Sequence, residues 1–142
     1  MSYFKTRQIP IKAGEPRKDM KLRPSVEYTG MGNLLVYDAW GGKFFRASEA
    51  FVRAGCEKFK QMYLQEENYL CYNDLYKLWN VFETDPGGNW GYSPSDDWKK
   101  EDLEFVFSRM GPGTELYDKF GEEVLVVEPS IDSFPMEAFW EV

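Results

Sequence analysis

Histidine is absent from this 142-residue chain. Its absence removes the commonest general base and metal ligand, and with them Ser-His and Cys-His catalytic pairs and His-based zinc sites. Cysteine is scarce: Cys56 and Cys71 stand alone, at no spacing that suggests a metal clip or a redox pair, and both read as reduced core residues. Long apolar runs are missing too. The longest, such as Leu34-Leu35-Val36-Tyr37, fall far below membrane length, and the N-terminus shows no charged-apolar-cleavable signal. The expectation is a soluble protein, cytoplasmic in whatever cell makes it, with no membrane partner. No phosphate loop is present, because Gly41-Gly42-Lys43 lacks the preceding spaced glycine and the following hydroxyl, and Gly87-Gly88 opens no helix with a basic residue. The adjacent acids Glu66-Glu67, Asp96-Asp97 and Glu122-Glu123 point to different faces as sequence neighbours and read as surface charge. Asp85, Asn89, Asp96 and Asp97 lack calcium-loop spacing. No catalytic residue, metal ligand or cofactor is therefore assigned, and the chain reads as a non-enzyme.

What the sequence has in quantity is aromatic rings and unevenly placed charge. Hydrophobic residues make up 43% and aromatics 18%, the latter being 11 Phe, 9 Tyr and 5 Trp, so large rings must supply much of the core. Those that do not fit inside serve as amphipathic cover or binding anchors. The formal net charge is −7. Residues 1–30 hold seven Lys/Arg against three acids, a net of +4, which leaves −11 on residues 31–142. Such a body repels nucleic acid and steers toward basic surfaces, so no direct nucleic-acid contact is expected. Pro10, Pro16 and Pro24 block long helix in the basic segment. This divides the chain into an extended basic arm over 1–30, solvated or folded back on the acidic body in the favoured reading and touching nucleic-acid phosphate in the weaker one, and a single acidic α+β domain over 31–142.

Within the domain, Leu34–Tyr37, Trp40, Gly41-Gly42 and Phe44-Phe45 read as a hairpin around a glycine turn, with a helical reading in competition. Ser48-Glu49 then caps a helix over about 48–66, with Phe51, Val52, Gly55, Cys56, Phe59, Met62 and Tyr63 at helical spacing. Gly55 within it implies close approach of a bulky neighbour such as Trp79, or of a strand. Tyr69–Tyr72 reads as a strand, and Asn73 as the N-cap of a short helix whose apolar side carries Leu75, Tyr76, Leu78 and Trp79 and extends toward Phe82. Asp85–Asn89 forces a turn. Leu103–Ser108 alternates as a strand with one buried face, Glu115–Gly121 is a bridge, and Val124–Val127 is a compact apolar strand. The fold expected is one long amphipathic helix and a short second helix on a small antiparallel sheet drawn from 34–46, 69–72, 103–108 and 124–128. Phe51, Phe59, Leu75 and Trp79 are expected in its core.

Asn73-Asp74-Leu75-Tyr76, Pro86-Gly87-Gly88, Gly91 before an aromatic, Leu103–Ser108 and Val124–Val127 together resemble the C-terminal part of uncharacterised small proteins from phages and integrative elements of gut Firmicutes. Tyr72 departs from the Leu expected before the Asn, and Tyr92 from the Trp expected after the Gly. The resemblance implies a mobile-element origin and no activity.

The candidate contact patch joins Trp90, Tyr92 and Trp98 to Asp96, Asp97, Glu101, Asp102 and Glu104, with rings at the centre and acids around them. The competing reading makes the rings core and the acids its rim. The function expected is binding of a protein partner, inhibitory or anti-defence in kind. A basic nucleic-acid-binding host protein is the natural target, met by mimicry of the phosphate array of nucleic acid, with the protein a monomer or small homo-oligomer. A virion or assembly component is the alternative and an enzyme of unknown type the distant one.

Overall fold

In a computed structural model, which describes residues 25–65, 69–92 and 103–135, the chain order is β1 (Val26–Met31), β2 (Leu34–Asp38), β3 (Lys43–Ala47), α1 (Glu49–Gln65), β4 (Leu70–Cys71), α2 (Tyr72–Leu78), α3 (Asp85–Asn89), β5 (Trp90–Tyr92), β6 (Phe105–Met110), α4 (Glu115–Phe120), β7 (Val124–Pro129) and β8 (Phe134–Pro135). The longest helix starts where the sequence places it. The Ser48 hydroxyl accepts from the Phe51 N–H at 3.1 Å, and Glu49 lies in the first turn, at the positive end of the dipole. Val52, Gly55, Cys56, Phe59 and Tyr63 form the buried stripe of α1.

The secondary structure is α+β, as expected, but the sheet is mixed rather than antiparallel. Five strands lie in the order β1-β3-β2-β7-β6, with β1 parallel to β3 and β2 parallel to β7, while β2/β3 and β6/β7 are antiparallel. Alternating residues reveal a strand without its direction, and parallel pairs need long crossovers: β2 itself lies within the one between β1 and β3, and all four helices lie within the one between β2 and β7. That second sheet is antiparallel, in the order β4-β5-β8. β1 begins at Val26, so strand pairing starts inside the span read as the arm; residues 1–24 lie outside the described residues.

Helix is also more divided than one long and one short element. Asp85–Asn89, read as a turn, winds once as α3, because Thr84 Oγ1 accepts from Gly87 N at 2.9 Å and Pro86 suits a first turn. The bridge is α4, capped by Thr114 and stopped by Gly121 at φ 74°. Asn73 is not a cap. α2 starts one residue earlier, where the Asp74 carboxylate accepts from Cys71 N at 2.9 Å, and Asn73 turns inward.

The two faces of the large sheet carry separate cores. Val36, Phe45, Ala47, Leu125 and Val127 pack under α1 and α2 with Phe59, Leu75 and Trp79, all buried. Leu35, Tyr37, Phe44, Val124 and Val126 pack on the opposite side with Leu116 and Phe120 of α4. This is the strand alternation of a sheet covered on both faces. Of the four expected core residues, Phe51 is only partly buried. Gly55 is where α2 meets α1: a Cβ there would stand 2.6 Å from Trp79 Cδ1, and the Trp79 indole N–H donates to Val52 O at 3.1 Å.

Gly55→Ala is expected to destabilise by about 1–2 kcal/mol net, since overpacking against a fixed indole, at the upper end of about 1–3 kcal/mol, exceeds the roughly 1 kcal/mol gained in helix propensity. Phe59→Ala is expected to cost about 3–5 kcal/mol. Urea unfolding read by circular dichroism checks both, and a neutral or stabilising Gly55→Ala would mean that Trp79 yields.

Candidate functional site

The β2–β3 turn is a four-residue loop, Ala39–Gly42, closed by the Asp38–Lys43 pair and by Gly42 N donating to Asp38 O at 2.8 Å. Asp38 organises it. Trp40 N donates to Asp38 Oδ1 at 3.1 Å, and the Tyr76 hydroxyl donates to Asp38 Oδ2 at 2.6 Å, joining the loop to α2. Gly41 lies directly over this pair. A Cβ there would collide with the Tyr76 hydroxyl and stand 2.8 Å from Asp38 Oδ2. Trp40 itself is held flat. Its ring stacks on Tyr72 at 4.0 Å with an interplanar angle of 4°, and its Nε1 donates to Ser133 Oγ at 3.1 Å.

A second indole is brought to the same place by a different device. The Asn73 side chain pairs with the backbone of Thr84, Nδ2 to Thr84 O and Thr84 N to Oδ1, each at 2.9 Å. This fixes the cap of α3 against α2. Gly87 must be glycine there because a Cβ would strike Asn73 Oδ1. From α3 the chain passes straight into β5. A Cβ on Gly91 would lie 2.6 Å from Cys71 Cα, so only glycine lets β5 sit on β4 and present Trp90 at the rim.

Trp40, Gly41, Pro86, Trp90, Pro129, Asp132 and Ser133 line an open cleft of about 540 Å³. It lies at the carboxyl ends of the parallel strands β2 and β7, where Asp38 stands opposite Val127. Ligands of open α/β sheets gather outside the carboxyl ends of strands for a related reason: the loops there diverge. The volume falls in the range of about 300–1,000 Å³ typical of ligand sites. Indole faces and prolyl rings dominate the described walls, and among the described residues Asp132 is the one charged group that lines them.

The expected contact patch is only partly reproduced. Trp90 is 39% exposed and lines the cleft. Tyr92 is fully buried, between Phe59 and Tyr63, and its hydroxyl donates to Ile131 O at 3.0 Å, bracing the segment that carries Asp132 and Ser133. Glu104 is exposed and pairs with Lys60 of α1, facing a separate polar cavity with Arg53 and Cys56 rather than the cleft. Asp96, Asp97, Trp98, Glu101 and Asp102 lie outside the described residues. The sequence reading missed Trp40, Pro86, Pro129, Asp132 and Ser133. The signal for Trp40 was present, as a large ring beside a glycine pair, but nothing local places it opposite Trp90.

Chemically the cleft offers surfaces rather than reagents. Both cysteine thiols are pushed up, chiefly by burial, and are poor nucleophiles. Asp38 is raised to about 6, by burial first, against the lowering effect of the Tyr76, Gly41 and Trp40 donors and of Lys43. It is 1% exposed and sealed under Gly41, so it braces the cleft wall without meeting a ligand. Among the described residues no group of three or more His, Cys, Asp or Glu could hold a metal ion, and no helix is long and apolar enough to cross a membrane.

The raised Asp38 fixes a sign. Its folded pKa lies above its unfolded value, so it contributes stability that is fully present below about pH 4 and lost as pH rises through about 6, worth about 3 kcal/mol across that window. Wild type is expected to lose that much against Asp38→Asn between pH 4 and pH 7, read from paired urea midpoints. A pH-independent difference would mean that Asp38 ionises normally.

Compared with protein-family models, curated proteins and solved structures, the chain matches none.

Proposed function

We propose that the protein is a binding module for a protein partner and that the Trp40–Trp90 cleft is its contact site, taking an extended basic segment that carries proline. One observation carries this reading: two indoles, one locked by stacking and one at the rim, share a cleft with Pro86, Pro129 and the Asp132 carboxylate. Tryptophans in pre-formed pockets dominate binding energy at protein interfaces. Ring-lined grooves suit prolyl segments, which lose little entropy on docking. The Trp40 N–H is already committed to Ser133, so recognition rests on ring faces and on Asp132. The net charge of −7 favours encounter with a basic partner.

The resemblance to phage and integrative-element proteins supplies the setting, an inhibitory or anti-defence binder of a basic host protein. A virion or assembly role is the second reading. An enzyme is disfavoured by the sealed position of Asp38.

A displayed peptide library selected on the full chain tests the proposal. The expected winners carry proline flanked by Lys or Arg. Trp90→Ala is expected to weaken them at least about tenfold, as for an interface anchor. Asp132→Lys is expected to weaken them several-fold, with loss of salt dependence. Proline-free or acidic winners, or winners that bind Trp90→Ala equally, would overturn it.

A further inference from the structure

We infer that the cleft is the docking site of this chain's own residues 1–24, with Pro16 laid on the Trp40 and Trp90 rings and Arg17 and Lys18 against Asp132 and the exposed Asp85. The inference rests on the reading of the cleft as a peptide site and supplies its first occupant.

Topology places the two together. Val26 pairs with Phe44, Asp38 with Lys43 and Asp38 with Val127, so the chain enters β1 at the same sheet edge that carries Trp40, Gly41 and Pro129. In the order β1-β3-β2-β7, the entry point stands two to three strand spacings, roughly 10–15 Å, from the cleft. An extended chain advances about 3.3 Å per residue, so about five residues close that gap, and the linker from Pro16 to Ser25 is longer than that.

Charge and side-chain chemistry agree with the topology. Residues 1–24 carry Lys5, Arg7, Lys12, Arg17, Lys18, Lys21 and Arg23 against Glu15 and Asp19, a net of +5. Among the described residues that line the cleft there is no cation to oppose them. Pro10, Pro16 and Pro24 pre-set φ, which suits a groove walled by rings. A tethered segment acts at an effective concentration in the millimolar range, so contacts too weak to hold a free peptide hold this one. An outside partner must displace it, and its apparent affinity falls by the fraction of time the cleft stands empty.

The test uses the full chain, ¹⁵N-labelled, with a nitroxide on Ala13→Cys in a Cys71→Ser background; Cys56 is buried and stays unlabelled. The expected result is paramagnetic broadening of the Trp40 and Trp90 indole N–H signals, with the Met31 and Gly113 amides at the far sheet edge spared. Arg17→Glu/Lys18→Glu is expected to remove the broadening. It should also tighten binding of an added Pro-Arg-Lys peptide about tenfold if the segment holds the cleft nine-tenths of the time. Broadening only between differently labelled copies, or none at all, would overturn docking within the chain. If broadening is absent while the added peptide still binds in a Trp90-dependent way, the inference fails and the proposed function stands; if the peptide also fails to bind, both fail.

Discussion

A carboxyl group buried at the end of β2 sets the terms for much of this structure. Burying Asp38 removes it from water, which is tolerable only because its oxygens are met by Trp40 N–H and the Tyr76 hydroxyl. Those donors come from the hairpin loop and from α2, so one side chain joins the large sheet to the helix layer above it. The orientation of Trp40 follows from this, since its backbone is tied to Asp38 and its ring is left to stack on Tyr72. Gly41 follows as well: no other residue leaves room over the Asp38–Tyr76 pair. A buried polar network of this kind is worth most when complete, because removing any one donor leaves the carboxylate to bear the desolvation penalty.

A parallel device operates on the other wall. Asn73 pairs with the backbone of Thr84 on both its donor and acceptor sides, and so turns a polar side chain into a substitute strand partner. It fixes where α3 begins and therefore where Trp90 stands. Each wall of the cleft thus depends on a buried polar residue two positions or more from any ring that a ligand would touch, with glycines making the close approaches possible.

What could be read from the chain was local. Helix α1 announced itself through Ser48 and the spacing of Val52, Cys56, Phe59 and Tyr63, and Gly55 was legible as a close-approach site because an interior glycine costs helix propensity for some return. Strand positions were legible from alternation, but their directions were not, since the parallel pairing of β2 with β7 depends on residues far apart in sequence. Asn73 misled because a good cap residue beside a good first-turn acid resembles a helix start, whereas its amide is used across α3 instead. Tyr92 misled because an aromatic beside a glycine loop reads equally as anchor or as strut. The cleft was hidden for the same reason as the strand directions: its rings come from residues 40 and 90, and its acid from 132.

The pairing of β2 with β7 has a consequence for the life of the chain before it is folded. Leu35 faces Val124, 89 positions later, and until β7 exists the inner edge of the β2–β3 hairpin has no partner. At about 5–20 residues per second, a ribosome needs roughly 5–20 s to supply it. For that interval Leu35, Tyr37 and Phe44 lack Val124, Val126 and the α4 residues that cover them. The nascent chain therefore presents an apolar strand edge as a translation-timed hazard, and synthesis speed, rather than the stability of the finished protein, sets how long chaperones must shield it.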